Sequence, residues 1–207
     1  MTEKLKVLFL AASPVNTSRI RLDEEAREIS QIIRNGPARD LIEFIPKFAL
    51  KVSDLQRVLL THRPHVVHFS GHGEKEQGIT LEDKQGNLKM VSKQALAALF
   101  KILKDDISLV ILNACHSNSQ IEALTEVMDF TITMRGPISD EAAVIFAPHF
   151  YQAIAFGRSL KDAFDLACNE LTLEEIGESD TPALLERKGV CATEAFLIDP
   201  RSEAGNK

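Results

Sequence analysis

Short apolar runs alternate with stretches of helical periodicity along almost the whole of this 207-residue chain. The runs are rich in Val, Ile, Leu and Phe, which is typical of strands buried on both faces. We predict strands over residues 6–12, 41–45, 65–70, 108–113 and 130–134. Strands that alternate with helices predict a mostly parallel sheet with helices on both sides. The expected fold is therefore an α/β three-layer sandwich with a mostly parallel central sheet, in a single domain over residues 1–207.

Helices are predicted between these strands from the spacing of apolar residues and from start and stop residues. They cover residues 23–34, 53–60, 92–103, 119–126 and 139–156, with a last helix that ends near residue 173. Two alternating runs around a polar turn predict a hairpin over residues 78–90. A final strand is predicted over residues 195–198, before a loose polar tail at about residues 200–207.

The composition of the chain indicates which partners and which cellular compartment to expect. The net charge is −6 and no cluster of Lys and Arg is visible, which argues against nucleic acid as a partner. The three cysteines are odd in number and widely spaced, which argues against a disulfide framework and favours a reducing compartment. The first apolar run is too short to span a membrane. We expect a cytoplasmic protein without a membrane partner.

Two of the predicted strands are followed by residues that carry chemistry. His72 comes shortly after the third strand, and Cys115 shortly after the fourth. If these strands are parallel neighbours, both residues emerge at the carboxyl edge of the sheet, where α/β proteins bind ligands. A thiol needs a nearby base to be a good nucleophile at neutral pH, and an imidazole is the usual one. The pattern predicts a Cys–His hydrolase, most simply a cysteine peptidase.

The residues around this pair fit the same chemistry. Gly71 and Gly73 flank His72 and let the backbone turn tightly and approach a ligand. The N–H groups of Gly73 and Cys115 are candidates for an oxyanion hole. The other cysteines, Cys168 in an amphipathic helix and Cys191 in a tail loop, are expected to be bystanders.

A metal site is the main alternative for the same residues. Yet His65 and His68 are an odd number of positions apart on one strand and point to opposite faces, and neighbouring Cys115 and His116 diverge likewise. No metal-binding CxxC or HExxH spacing is present. We interpret His68 as a buried, hydrogen-bonded residue that supports the site.

Other functions receive less support from the sequence. His149 is interpreted as part of a helix face. A nucleotide-binding α/β domain is disfavoured, because the loop after the first strand contains neither GxGxxG nor GxxxxGK[ST].

The chain resembles prokaryotic caspase-like peptidases of the CHAT type, within the clan of caspases, metacaspases, gingipains and separase. The segments that carry the resemblance are residues 67–73 (VHFSGHG), 112–115 (LNAC), 138–143 (ISDEAA), 150–157 (FYQAIAFG), 10–14 (LAASP) and 22–25 (LDEE). The resemblance implies a caspase-hemoglobinase fold, peptide hydrolysis at His72 and Cys115, and no cofactor. One departure is His116-Ser117, where relatives often carry Gly or Ser soon after the nucleophile.

The resemblance also suggests how substrates are selected. Relatives that select arginine or lysine place an acidic residue after the fifth strand, and Ser139-Asp140 falls at that point. We therefore expect Asp140 to bind Arg or Lys on the amino side of the cut bond. Two alternatives stay open: Asp140 is also a good helix-starting residue, and Arg135 follows the same strand and would select acidic residues instead.

Relatives often carry this module fused to sensor or repeat domains, which suggests a regulated bacterial effector in defence. Residues 73–78 and 83–87 are polar and are candidates for ordering by an activating protein partner or by a peptide substrate. The alternative function on the same fold is a non-catalytic signalling module that binds a peptide without cutting it. The presence of both His72 and Cys115 favours the enzyme.

Overall fold

The computed structural model describes residues 4–17, 20–74, 78–114 and 124–198, with residues 73 and 74 described in their backbone only. The strands of this part of the chain are β1 (Leu5–Ala12), β2 (Ile42–Lys47), β3 (Val66–Gly71), β4 (Gly73–Glu74), β5 (Gly78–Glu82), β6 (Leu88–Val91), β7 (Leu109–Asn113), β8 (Phe130–Met134) and β9 (Pro182–Glu186). The helices are α1 (Leu22–Asn35), α2 (Val52–His62), α3 (Lys93–Leu103), α4 (Asp140–Ala155) and α5 (Leu160–Leu173).

The central sheet has six strands in the order β2-β1-β3-β7-β8-β9. All neighbouring pairs are parallel except β8 with β9, which are antiparallel. The middle strands β1, β3 and β7 are almost completely buried, as expected for apolar runs covered on both faces. The predicted α/β three-layer fold with a mostly parallel sheet is confirmed.

Alternation along each strand divides the core into two apolar layers. On β3, for example, Val66 faces the layer formed with α1, α4 and α5, whereas Val67 and Phe69 face the layer formed with α2 and α3. His68 and Ser70 therefore share the face of Val66. This places two polar side chains of β3 beneath α1 and α4.

The hairpin predicted over residues 78–90 is confirmed as β5 and β6, and the short β4 adds a third antiparallel strand. Gly78 has a φ of +128°, and a Cβ atom there would lie 2.0 Å from the carbonyl oxygen of Val91, so only glycine fits. Leu50 connects this small sheet to β1, because it donates its N–H to Ala11 and accepts from the N–H of Glu82. The hairpin is thus fixed beside the carboxyl end of β1.

The predicted strand over residues 195–198 is wrong, because this segment is irregular. The carbonyl of Ala195 accepts a 2.8 Å hydrogen bond from the N–H of Leu160 at the start of α5. The edge position beside β8 is occupied by β9, which the sequence did not predict. Its sequence, PALLE, begins with Pro182 and contains no β-branched residue, so its strand signal is weak.

Three helices begin at a serine cap, and two of these serines, Ser92 and Ser139, were predicted as helix starts from the sequence. Ser92, Ser139 and Ser159 each accept a hydrogen bond from the backbone three residues on, at the N-termini of α3, α4 and α5. The start of α2 was predicted incorrectly at Ser53, since Lys51 is its N-cap and provides no side-chain cap.

Most of the helix predicted over residues 119–126 lies outside the described residues, as does the predicted tail at 200–207. Within the described part of the chain, none of the helices is both long enough and apolar enough to cross a membrane.

Candidate active site

The strands that precede His72 and Cys115 are direct neighbours. β3 and β7 pair in parallel, and their register brings Ser70 opposite Asn113. His72 is half-buried just beyond the carboxyl end of β3. The prediction for Cys115 falls outside the described residues, since the description of this segment stops at the buried Ala114. The two strands are thus parallel neighbours, as the predicted pairing of His72 with Cys115 requires.

His72 lines a small cleft at this edge of the sheet. The cleft lies between the N-terminal ends of α1 and α4 and the carboxyl ends of β3 and β7. Its polar lining includes Glu25 on α1, Asn113 on β7, and Ser139 and Asp140 at the start of α4. This is the crevice in which α/β proteins of this topology bind their ligands.

Two glycines shape the backbone around His72. A Cβ atom on Gly71 would lie 2.8 Å from the carbonyl oxygen of Ala12, so the close approach of β1 and β3 at this point requires glycine. On the other side, Gly73 pairs with Ile79 while the N–H of Thr80 donates to the carbonyl of His72 at 3.1 Å. Because bonded and non-bonded pairs alternate in an antiparallel ladder, the N–H of Gly73 is directed away from β5.

A buried carboxylate lies beneath the cleft. Glu25 is 2% exposed, although it is charged. One of its oxygens, Oε2, accepts a short hydrogen bond from the hydroxyl of Ser70 on β3. The other, Oε1, accepts a 2.7 Å hydrogen bond from the side-chain amide of Asn113 on β7. The carboxylate of Glu25 thus bridges the ends of the two strands that lead to His72 and Cys115.

The imidazole of His68 continues this polar network into the core. His68 is fully buried, and its Nε2 lies 3.3 Å from Glu25 Oε1, a close contact without hydrogen-bond alignment. Its Nδ1 lies 3.2 Å from the hydroxyl of Tyr151 on α4. Burial, and secondarily the charge of Glu25, raise the pKa of Tyr151 well above its ordinary value. The prediction that His68 is buried and hydrogen-bonded is confirmed.

The two candidate specificity residues lie in different surroundings. Asp140 is half-buried in the first turn of α4 and lines the same cleft as His72. Arg135 is exposed, and its guanidinium donates to the carbonyls of Asp180 at 2.9 Å and Pro182 at 3.4 Å. The side chain of Arg135 is therefore bound to the segment that leads into β9.

Neither Cys168 nor Cys191 lines the cleft. Burial raises the pKa of the Cys168 thiol to about 12, so its thiolate is scarce at neutral pH. Cys191 is exposed, and its Sγ lies 2.9 Å from the hydroxyl of Thr193.

His65 and His149 do not line the cleft. His65 Nδ1 accepts from the N–H of Lys6, at the amino end of the sheet. His149 Nδ1 contacts the carbonyl of Ile145 within α4, as expected of a helix face. Within the described ranges, no three His, Cys, Asp or Glu side chains are grouped so that they could hold a metal ion.

Sequence reasoning did not find Glu25 or Tyr151 as parts of this site. A signal for Glu25 was present, because it lies on the apolar stripe of α1 between Leu22 and Ile29. A carboxylate on the buried stripe of an amphipathic helix requires hydrogen-bond partners inside the protein. No comparable signal singles out Tyr151, since a tyrosine is unremarkable in an apolar helix.

Comparison with known proteins agrees with this geometry. The model of the CHAT domain family matches residues 6–181. A Roc-COR-CHAT protease from an unknown prokaryotic organism is 24% identical over 156 residues, which are 72% of this chain. A probable protease from Gillisia limnaea is 24% identical over 155 residues, or 73% of this chain. The chain spans only 15% and 27% of the length of these two relatives.

Solved structures with the same fold include two cysteine proteases. A secreted C11 cysteine protease from Bacteroides thetaiotaomicron, in complex with an irreversible peptide inhibitor, is 10% identical with a TM-score of 0.65, covering 89% of this chain and 66% of its own. Caspase-1 from Spodoptera frugiperda is 11% identical with a TM-score of 0.56, covering 89% of this chain and 86% of its own. The fold is that of the caspases, and the chain belongs to the CHAT domain family.

Proposed function

We propose that this chain is a cysteine endopeptidase in which Cys115 is the nucleophile and His72 its base. The sulfur of Cys115 attacks the carbonyl carbon of the peptide bond, and His72 carries the thiol proton to the leaving amine as the C–N bond breaks. Water then hydrolyses the thioester, with His72 as the base that activates it. The product is a free carboxylate and the enzyme returns to its starting state.

The parallel pairing of β3 with β7 carries this proposal. Ser70 is opposite Asn113, and His72 and Cys115 are each the second residue after that pair along the sequence. Consecutive Cα atoms are only ~3.8 Å apart, so covalent connectivity keeps both residues near the same edge of the sheet. The names of the two curated relatives, each a protease or probable protease, support the same chemistry.

The N–H groups of Gly73 and Cys115 form the oxyanion hole in this proposal. Support comes from the ladder between β4 and β5, in which the N–H of Gly73 is directed away from β5. It is thus available to the developing negative charge of the tetrahedral intermediate.

Asp140 is proposed to select Arg or Lys on the amino side of the cut bond. It lines the cleft beside His72, whereas the competing residue Arg135 is held by two backbone carbonyls near β9. A cationic substrate side chain would pair with the carboxylate in a partly desolvated pocket, and a neutral one would leave it unpaired.

Regulation by a protein partner belongs to the same proposal. The curated relatives are several times longer than this chain, which fits a protease module controlled by other domains. We expect the module to act as a cytoplasmic bacterial effector, with low activity alone and higher activity once a partner orders the segments beside the cleft.

Peptide cleavage by purified protein tests the proposal. Substitution of either member of the dyad, Cys115→Ala or His72→Ala, should lower the rate by several orders of magnitude while the circular dichroism spectrum is unchanged. Cys191→Ala is the matched control and should retain wild-type activity. Cleavage at the wild-type rate by folded Cys115→Ala protein would contradict the peptidase; specific peptide binding without any cleavage would favour the non-catalytic module.

A further inference from the structure

We infer that Glu25 is a positioning residue, whose carboxylate aligns the carboxyl ends of β3 and β7 and thereby the segments that carry His72 and Cys115. The inference rests on the proposed function. Glu25 does not need to touch substrate for this role. Its partners, Ser70 and Asn113, are opposite each other in the register of the sheet.

The bridge is formed by hydrogen bonds between different elements of the chain. Within a parallel pair, backbone hydrogen bonds end where the strands end, so the loops beyond them need other restraints. Glu25 accepts from Ser70 on β3 and from Asn113 on β7, and its own backbone belongs to α1. Three separate elements therefore meet at one carboxylate directly below the cleft.

The location of Glu25 argues against a role in folding alone. A carboxylate that is 2% exposed carries a large desolvation cost, which the hydrogen bonds from Ser70 and Asn113 have to offset. The rest of the inward face of α1 is apolar, with Ala26, Ile29 and Ile33 in the core. The charged residue occurs at the turn of α1 that lies against the strand ends.

His68 and Tyr151 lie on the core side of the Glu25 carboxylate. The hydroxyl of Tyr151 lies 3.2 Å from His68 Nδ1, and the other ring nitrogen, Nε2, lies 3.3 Å from Glu25 Oε1. The imidazole of His68 therefore lies between the phenol of Tyr151 and the carboxylate of Glu25 and contacts both.

Two substitutions of Glu25 distinguish the effect of its hydrogen bonds from the effect of its negative charge. In Glu25→Gln the amide oxygen still accepts from Asn113, and the amide nitrogen donates to the hydroxyl of Ser70, so the bridge is retained. In Glu25→Ala the bridge is lost. Ile29→Ala, one turn further along α1, is the control: Ile29 is fully buried and its truncation destabilises the protein through a cavity.

Kinetic measurements on these variants give the first test. We expect Glu25→Ala to lower kcat by about 10²-fold with KM nearly unchanged, because misplaced catalytic groups affect the chemical step. Glu25→Gln should stay within a few-fold of wild type. The inference is overturned if Glu25→Gln is as impaired as Glu25→Ala, or if Glu25→Ala loses no more kcat than Ile29→Ala at equal loss of Tm.

Hydrogen exchange followed by mass spectrometry gives a test that needs no activity. Peptides that cover the carboxyl ends of β3 and β7 should exchange faster in Glu25→Ala, but not in Glu25→Gln or Ile29→Ala. Unchanged exchange in Glu25→Ala overturns the inference even if the wild type cleaves peptides. Faster exchange in Glu25→Ala together with an inactive wild type would support the bridge and contradict the proposed peptidase.

Discussion

The imidazole of His68 and the phenol of Tyr151 lie against each other in the core, with ring planes 27° apart and Nδ1 3.2 Å from the phenolic oxygen. Both side chains are fully buried. They connect α4 to β3 just behind the carboxylate of Glu25. Through this contact the polar network of Glu25, Ser70 and Asn113 extends from the cleft into an otherwise apolar layer.

Ionisation of Tyr151 should be suppressed in the folded protein. Tyr151 is the single tyrosine and the chain has no tryptophan, so tyrosinate absorbance reports this residue alone. Because burial raises its pKa above the ordinary value of 10.0, the neutral phenol favours the folded state. This stabilisation is complete below pH 10 and is lost as the pH rises toward the folded pKa.

A spectrophotometric titration checks this prediction. Folded protein should show no tyrosinate absorbance near pH 10, whereas protein in concentrated urea should titrate there. The Tyr151→Phe variant is the blank. A midpoint near pH 10 in the folded protein would mean that the phenol is not buried against His68.

Substrate preference should depend on Asp140 and not on Arg135. A panel of peptides that differ only in the residue before the cut bond should be cleaved fastest with Arg or Lys. In Asp140→Asn this preference should fall by at least about tenfold in kcat/KM, because the half-buried carboxylate pairs with the cation. Arg135→Ala is the matched control and should keep the wild-type preference. If the wild type instead preferred acidic residues and Arg135→Ala lost that preference, Arg135 and not Asp140 would be the specificity residue.

The N-cap of α4 should affect the cleft as well as stability. Ser139 accepts a 3.1 Å hydrogen bond from the N–H of Ala142, so Ser139→Ala should lower the free energy of unfolding by about 1 kcal/mol. Ser92→Ala, at the corresponding cap of α3, should cost about as much. Of the two, only Ser139→Ala should raise KM for cleavage, since it loosens the turn that carries Asp140. If both variants had the same KM, the turn that carries Asp140 would have no role in substrate binding.

Two cysteines should differ sharply in reactivity toward alkylating agents. With its pKa raised to about 12, Cys168 should resist alkylation near neutral pH, whereas the exposed Cys191 should react. Peptide mapping by mass spectrometry would give both rates from one sample, and unfolded protein provides the control in which Cys168 also reacts. Rapid alkylation of Cys168 in the folded protein would contradict its burial in α5.

Local sequence signals were sufficient for most of the fold. Buried strands such as β3 and β7 are short, strongly apolar runs, and the serine caps of α3, α4 and α5 mark helix starts by a local hydrogen bond. The position of His72 followed from this topology together with the general rule for ligand sites in parallel sheets.

Long-range contacts account for what sequence reasoning missed. The strand β9 has weak propensity and forms at the edge of β8, while Ala195, Leu197 and Ile198 pack against the apolar core as an irregular segment. The carboxylate of Glu25 belongs to α1, and its partners lie on β3 and β7. No periodicity or spacing rule connects residues that meet only in the folded chain.

Covalent labelling tests the central claim most directly, namely that Cys115 is a nucleophile activated by His72. The folded protein would be incubated with an irreversible thiol-directed peptide inhibitor that carries arginine next to the reactive group, and the adduct located by peptide mapping. We expect the adduct to form fastest on Cys115, and at least about 10²-fold more slowly at that residue in His72→Ala. Labelling of Cys168 or Cys191 in place of Cys115, or equal labelling of Cys115 with and without His72, would contradict the claim.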